Sequence, residues 1–145
     1  MPRKFFSIFI CVCLFGISAL YAQKNNAGVK NNVTIKHTDS SKIVEGKASF
    51  YSKNLEGSST ATGGTYHNKK YTAASNFFKL GTWVRVTRIA TGESILVYIN
   101  DRMHPSMEKK GRVIDLSHAA AEKLRFLASG VTKVIVESIR KEMME

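Results

Sequence analysis

Residues 83–99 carry the pattern that most limits what this chain can fold into. Trp83-Val84-Arg85-Val86-Thr87-Arg88-Ile89 alternates apolar and polar side chains, Ala90-Thr91-Gly92-Glu93 turns, and Ser94 to Ile99 returns as a second strand-like run. Period-two alternation marks a half-buried strand, and a four-residue connection makes the pair a hairpin. The second run stops abruptly at Asn100-Asp101-Arg102, so one carboxylate is delivered at a strand end between an amide and a guanidinium. Loops fed by strand ends are where a rigid sheet presents its chemistry.

The rest of the chain extends the same theme. Lys47 to Ser52 alternates as a strand, Tyr71 to Ser75 is a short ordered piece, and Val131 to Ile139 is a last strand after Gly130. Two long loops separate these runs. Lys53 to Lys70 holds Gly57, Gly63, Gly64 and many Ser, Thr and Asn residues, and Asn100 to Gly111 contains Pro105. Ser117 is a suitable N-cap for one short helix over His118 to Leu124, whose alanines favour helix. The expectation is a mostly β domain over 44–140 with one short helix and a C-terminal tail at 141–145, in keeping with a small closed barrel.

The N-terminus reads differently. Met1-Pro2-Arg3-Lys4 is a basic start, Phe5 to Leu20 is almost unbroken apolar sequence, and polar residues follow Ala22. That is the form of a secretory signal peptide over 1–22, and it is excluded from the fold. The run is short against the ~20 apolar residues of a membrane helix, so no stable span is expected after cleavage. Both cysteines, Cys11 and Cys13, fall inside this segment and say nothing about disulfides in the remainder. Residues 23–43 are polar without apolar periodicity and are read as a flexible linker. The expected location is the periplasm or cell envelope.

Charge narrows the partners. Of 22 Lys and Arg, Arg3 and Lys4 lie in the leader, which leaves 20 against 11 Asp and Glu. Such a surplus favours anionic partners. In an exported chain these are wall polymers and lipid headgroups rather than nucleic acid, and without a dense basic block or an aromatic ladder the charge is read as solubility plus weak attraction to the wall. Without cysteine beyond the leader or a metal-ligand spacing of histidines, neither a metal nor another cofactor is expected. A monomer is the default.

Several stretches occur here in one order: Gly46–Tyr51, Thr60–Gly63, Thr72–Ala74, Leu80–Thr82, Val84–Thr87, Ile99–Arg102, and Ile114–Ser117 followed by Ala119–Ala121. Together they resemble the rare lipoprotein A family, the septal-ring lytic transglycosylases of bacteria, across essentially the whole of 46–139. The resemblance implies a six-stranded double-psi β-barrel acting on peptidoglycan glycan strands, particularly those stripped of stem peptides. It also implies cleavage between N-acetylmuramic acid and N-acetylglucosamine that leaves a 1,6-anhydro end. Two positions depart from the family pattern. A Glu usually follows Thr-Ala-x-Gly, where this chain has Gly64, and a His usually follows Thr-Ala-Ala, where it has Ser75. Expansins, which share the barrel and lack one acid, loosen polysaccharide without cutting it, so a non-catalytic wall-binding module is the competing expectation.

Asp101 matches the family's acid and is the expected catalytic residue, the alternative being a loop aspartate that bonds amides or Arg102. Glu56, in the first long loop, is a candidate second carboxylate. His67 and His104 sit in the two loops that would flank a groove, where each is placed to orient a sugar or assist Asp101. Tyr66 is the expected sugar platform, with Thr60, Asn100 and Arg102 as further glycan contacts. Asp115, just before the helix, is better suited to holding loop amides than to catalysis.

Overall fold

The computed structural model describes residues 28–30 and 32–140. The expected signal peptide at 1–22 and the tail at 141–145 lie outside the described residues. Eight strands form one sheet: β1 (Gly28–Lys30), β2 (Val33–His37), β3 (Lys42–Phe50), β4 (Thr72–Ala74), β5 (Trp83–Arg88), β6 (Ser94–Asp101), β7 (Arg112–Leu116) and β8 (Thr132–Ile139). The order β3-β7-β4-β6-β5-β8 closes on itself because β8 also pairs with β3. Closure leaves no free edge in this six-stranded ring. Two of its pairs, β3–β7 and β4–β6, are parallel, and the other four are antiparallel.

Alternation places the core. Val84 and Val86 of β5, Val97 and Ile99 of β6, and Val134 and Val136 of β8 are all fully buried, while Arg85, Tyr98 and Ile135 between them face out. Burying a Val, Leu or Ile side chain is worth roughly 1.5–3 kcal/mol, so this row is a principal source of stability. Leu124 and Phe126 complete the same core. The β5–β6 hairpin turns at Gly92, whose φ of 72° suits glycine and lets its amide reach the Arg88 carbonyl at 2.8 Å.

Two expectations change. Strands β1 and β2, inside the stretch read as a flexible linker, pair antiparallel with each other, and β2 pairs antiparallel with Lys42 to Glu45 of β3. Backbone pairing along the first part of β3, which extends beyond its pairing with β7, orders this polar segment, and only Val33 of β2 is buried. The loop from Asn100 to Gly111 is not irregular throughout. It holds helix α1 (Pro105–Lys109), so with α2 (His118–Lys123) there are two short α-helices, not one. Pro105 at the first turn and the His104 ring, which accepts from the Ser106 amide, start α1. Ser117 caps α2 as expected, its hydroxyl accepting from the Ala120 amide. Among the described residues no helix is long and apolar enough to cross a membrane.

Candidate active site

Strand register builds the site. Ala73 of β4 pairs with Ile99 of β6, but Ala74 pairs with Asp101, so Asn100 is an extra residue in β6. Bulges of this kind re-aim side chains at barrel rims. Ala74 is also paired on its other side with Asp115 of β7, and Asp115 pairs with Ser49 of β3. Asp101, Ala74, Asp115 and Ser49 therefore form one row across four strands. At about 4.8 Å per strand, the two aspartate backbones stand about 10 Å apart, with only a methyl side chain between them.

The two carboxylates are held differently. Asp101 is 4% exposed. Its Oδ2 accepts from the Tyr51 hydroxyl at 2.7 Å, and its Oδ1 accepts from the amides of Arg102 at 2.8 Å and Thr62 at 3.3 Å. The Arg102 guanidinium turns away and donates to the carbonyls of Ser75 and Phe78. Asp115 instead takes the Ser49 hydroxyl at 2.6 Å and is ion-paired with Arg112. Within one groove, one acid is neutralised by a cation and the other is held by neutral donors.

Tyr51 is fixed as a donor. Burial, then its hydrogen bond to Asp101 and the charge of that carboxylate, push its phenol well above the ordinary tyrosine range. The Tyr66 ring packs against it, centroids 4.7 Å apart, and the Tyr66 hydroxyl accepts from the His118 amide at 3.0 Å. The first long loop is pinned over Asp101 because the Thr62 hydroxyl donates to the Asn100 carbonyl at 2.9 Å. On the other side, Asn76 bonds both backbone groups of Met103 and the Glu108 carboxylate, which ties the chain after Asp101 to α1.

Around Asp101 lies a groove of about 370 Å³. Ser58, Ser59, Thr60 and Ala61 form one bank, Met103, His104 and Met107 the other, with Asp115 also lining it. Hydroxyls on one bank and thioethers on the other suit a ligand with polar edges and apolar faces, as sugars have. An acid with neutral partners in such a groove can give a proton to a leaving oxygen and take one back.

The structure gathers Asp101, Thr60, Tyr66, Arg102 and His104 around this groove and places Asn100 behind it, through its carbonyl. Tyr66 is 4% exposed, so it braces Tyr51 rather than offering an open ring face. Glu56 and His67 do not reach the groove. They bond each other at 2.9 Å in a separate cavity, where the Asn68 amide and then His67 hold the Glu56 carboxyl below its usual range. Gly64 and Ser75, the two departures from the family pattern, also lie apart from the groove lining. Ser75 is buried, and its hydroxyl donates to the Val113 carbonyl at 2.7 Å.

Sequence reasoning did not single out Tyr51 as the partner of Asp101, nor Asp115 as a groove residue. The available signal for Tyr51 was its place at the end of an alternating strand. Among the described residues, no three His, Cys, Asp or Glu side chains come together as a metal site requires.

The lytic transglycolase family model matches residues 43–136. The endolytic peptidoglycan transglycosylase RlpA of Pasteurella multocida is 44% identical over 96 residues, 66% of this chain and 32% of that protein. Its namesake in Neisseria meningitidis serogroup A is 30% identical over 157 residues, covering 96% of this chain and 63% of the other. The chain thus spans about a third of the length of the first curated relatives it matches. Among solved structures, the Streptomyces papain inhibitor superposes with a TM-score of 0.53 at 25% identity, covering 68% of this chain and 94% of that one. A mutant expansin of Clavibacter michiganensis in complex with cellohexaose gives 0.53 at 19% identity, with 68% and 50% covered, a likeness of fold alone. With its closed six-stranded ring, its two parallel pairs and the family match over the whole barrel, the chain belongs to the lytic transglycolase family and carries a double-psi β-barrel.

Proposed function

We propose that this domain is an endolytic peptidoglycan transglycosylase acting on peptide-free glycan strands. The observation that carries the reading is Asp101, buried at the groove with three neutral donors and its neighbouring guanidinium turned away. The names of the relatives point to the same substrate class.

In the proposed reaction, protonated Asp101 gives its proton to the oxygen leaving the anomeric carbon of N-acetylmuramic acid. The glycosidic bond breaks as the 6-hydroxyl of the same sugar bonds to that carbon, and the hydroxyl proton passes to the Asp101 carboxylate. One carboxyl serves both transfers, water is not consumed, and the acid is regenerated. A single positioned acid/base contributes typically 10²–10⁴-fold. Asp115, engaged by Arg112, fixes the groove without entering the proton transfers.

A second reading is favoured by one observation. Gly64 stands where the family usually has Glu, and Asp115, the other carboxylate of the groove, is bound to Arg112. A groove with one available acid suits binding without cleavage, as a wall-loosening module. Incubation of the purified domain with peptide-free strands, followed by mass spectrometry for 1,6-anhydro ends, separates the two. The transglycosylase reading expects anhydro products from the wild type and at least a hundredfold less from Asp101→Asn with binding retained. Retained binding with no product from the wild type sinks it.

Export to the periplasm or cell envelope belongs to the same proposal and is supported by the basic start and apolar run of residues 1–20. N-terminal sequencing of the protein recovered from the cell envelope checks it, with a new terminus near Gln23 expected.

A further inference from the structure

The loop that forms one bank of the groove has a second face. Leu55 and Ser58 to Ala61 line the groove, whereas Lys53, Glu56 and His67 of the same segment line a separate cavity of about 660 Å³. Lys69 and Lys70 complete its cationic wall, and His118 also lines it. Only two carboxylates are present, Glu56 and Glu122. Glu56 is already taken by the Asn68 amide at 2.6 Å and by His67 at 2.9 Å. Among the described residues, Lys53, Lys69 and Lys70 have no carboxylate within ion-pair distance.

A second observation lies at the same place. The side-chain carbonyl oxygen of Asn68, which lines the cavity, is buried without a hydrogen-bond partner. Its amide group is used, donating to the Lys53 carbonyl at 2.7 Å. A buried acceptor left without a donor is rare in native folds, and meeting it takes an ordered water or a shift of the loop beside the cavity. The cavity also continues along α2 into a hollow of about 430 Å³ that shares Ala119 and Glu122 with it and adds Tyr71, Lys123 and the Arg125–Glu93 ion pair.

We infer that this lysine-lined cavity is a subsite for the lactyl carboxylates of muramic acid on a glycan strand that leaves the groove. The inference rests on the glycan-cleaving reading above and deepens it. In a peptide-free strand every muramic residue carries a free carboxylate, together with hydroxyl and acetamido N–H donors. A stem peptide converts that same carboxylate to an amide and adds bulk. Lys53, Lys69 and Lys70 then recognise the removal of the peptide, while Asp101 on the far side of the loop meets the glycosidic bond.

The test measures binding at low ionic strength, where exposed charges are least screened. Two probes are used: peptide-free strands, and the same strands with their carboxylates coupled to ethanolamine as neutral amides. The proteins are wild type, Asp101→Asn, and the triple variant Lys53→Gln, Lys69→Gln, Lys70→Gln, each verified as folded by circular dichroism. Wild type and Asp101→Asn are expected to bind the free-carboxylate strands about tenfold more tightly than the amidated ones, and the triple variant to bind both equally weakly. Equal affinity of wild type for the two strands, or an undiminished preference in the triple variant, overturns the subsite. Carboxylate-dependent binding without anhydro product supports the subsite while removing the cleavage reading, so the two failures are told apart.

Discussion

The hydroxyl of Tyr51 donates to Oδ2 of Asp101 across 2.7 Å, joining the end of β3 to the end of β6. Because burial and the adjacent carboxylate raise the Tyr51 pKa, the folded protein keeps this proton at pH values where the unfolded chain has released it. The native state then binds more protons, so stability falls as pH rises above the ordinary tyrosine value of about 10. Alkaline denaturant titrations of Tyr51→Phe are expected to show a shallower fall than wild type. At neutral pH the same variant leaves Oδ2 without its donor and is expected to lose stability by about 1–3 kcal/mol.

Gly46 is required by its neighbour. A β-carbon there would lie 2.4 Å from Cγ1 of Val113 and 3.1 Å from the Gly111 carbonyl. Val113 is the extra residue of β7 where its register shifts against β3, so it has little freedom to retreat. Gly46→Ala is expected to cost about 1–3 kcal/mol as an overpacked core does, read as a lower melting temperature.

Gly64 has room for a side chain. A β-carbon there meets nothing nearer than Oγ1 of Thr60 at 3.4 Å, an ordinary contact, and its φ is not positive. Gly64→Glu is therefore expected to change stability by no more than about 0.5 kcal/mol. Because Asp101 serves both transfers in the proposed reaction, the yield of anhydro ends is expected to stay within about threefold of wild type, far from the 10²–10⁴-fold that a working acid/base contributes. A folded variant with unchanged yield would show that the second acid has no part in this groove.

The Glu56–His67 contact gives a pH signature away from the groove. Because the Glu56 pKa is lowered in the folded protein, its contribution to stability is present above the ordinary glutamate value and is lost as pH falls through the folded one. Melting curves of wild type and Glu56→Gln should differ slightly at pH 7 and converge in acid. The exposed position of Glu56 keeps the difference small.

How far the chain can be read without its structure depends on where the determining contacts lie. The β5–β6 hairpin is legible because Val84, Val86, Val97 and Ile99 alternate locally, and Ser117 is legible because capping is a matter of three residues. The β1–β2 pair is not, since Thr34 and Lys36 gain order by backbone pairing with Glu45 and Ile43, which leaves no apolar trace. Helix α1 was hidden for a related reason, as five residues are too few to show a helical period. Asp101 was visible as an acid at a strand end, but its partner Tyr51 is 50 positions away and meets it only when the ring closes. Glu56 and Thr60 share one loop and nearby positions, yet the loop directs them to opposite sides, which composition alone does not encode.

Strand β3 also separates two traffic routes. Its first half pairs with β2 at Lys42 to Glu45, while its far end, at Ser49, belongs to the aspartate row. Gly28 joins at the level of Val44 through Ile35, five residues short of Ser49 and so roughly 16 Å back along the strand. Strands β1 and β2 thus lie well below the groove and contribute none of its lining residues. A long polymer can lie across it from the middle of its length, without threading an end.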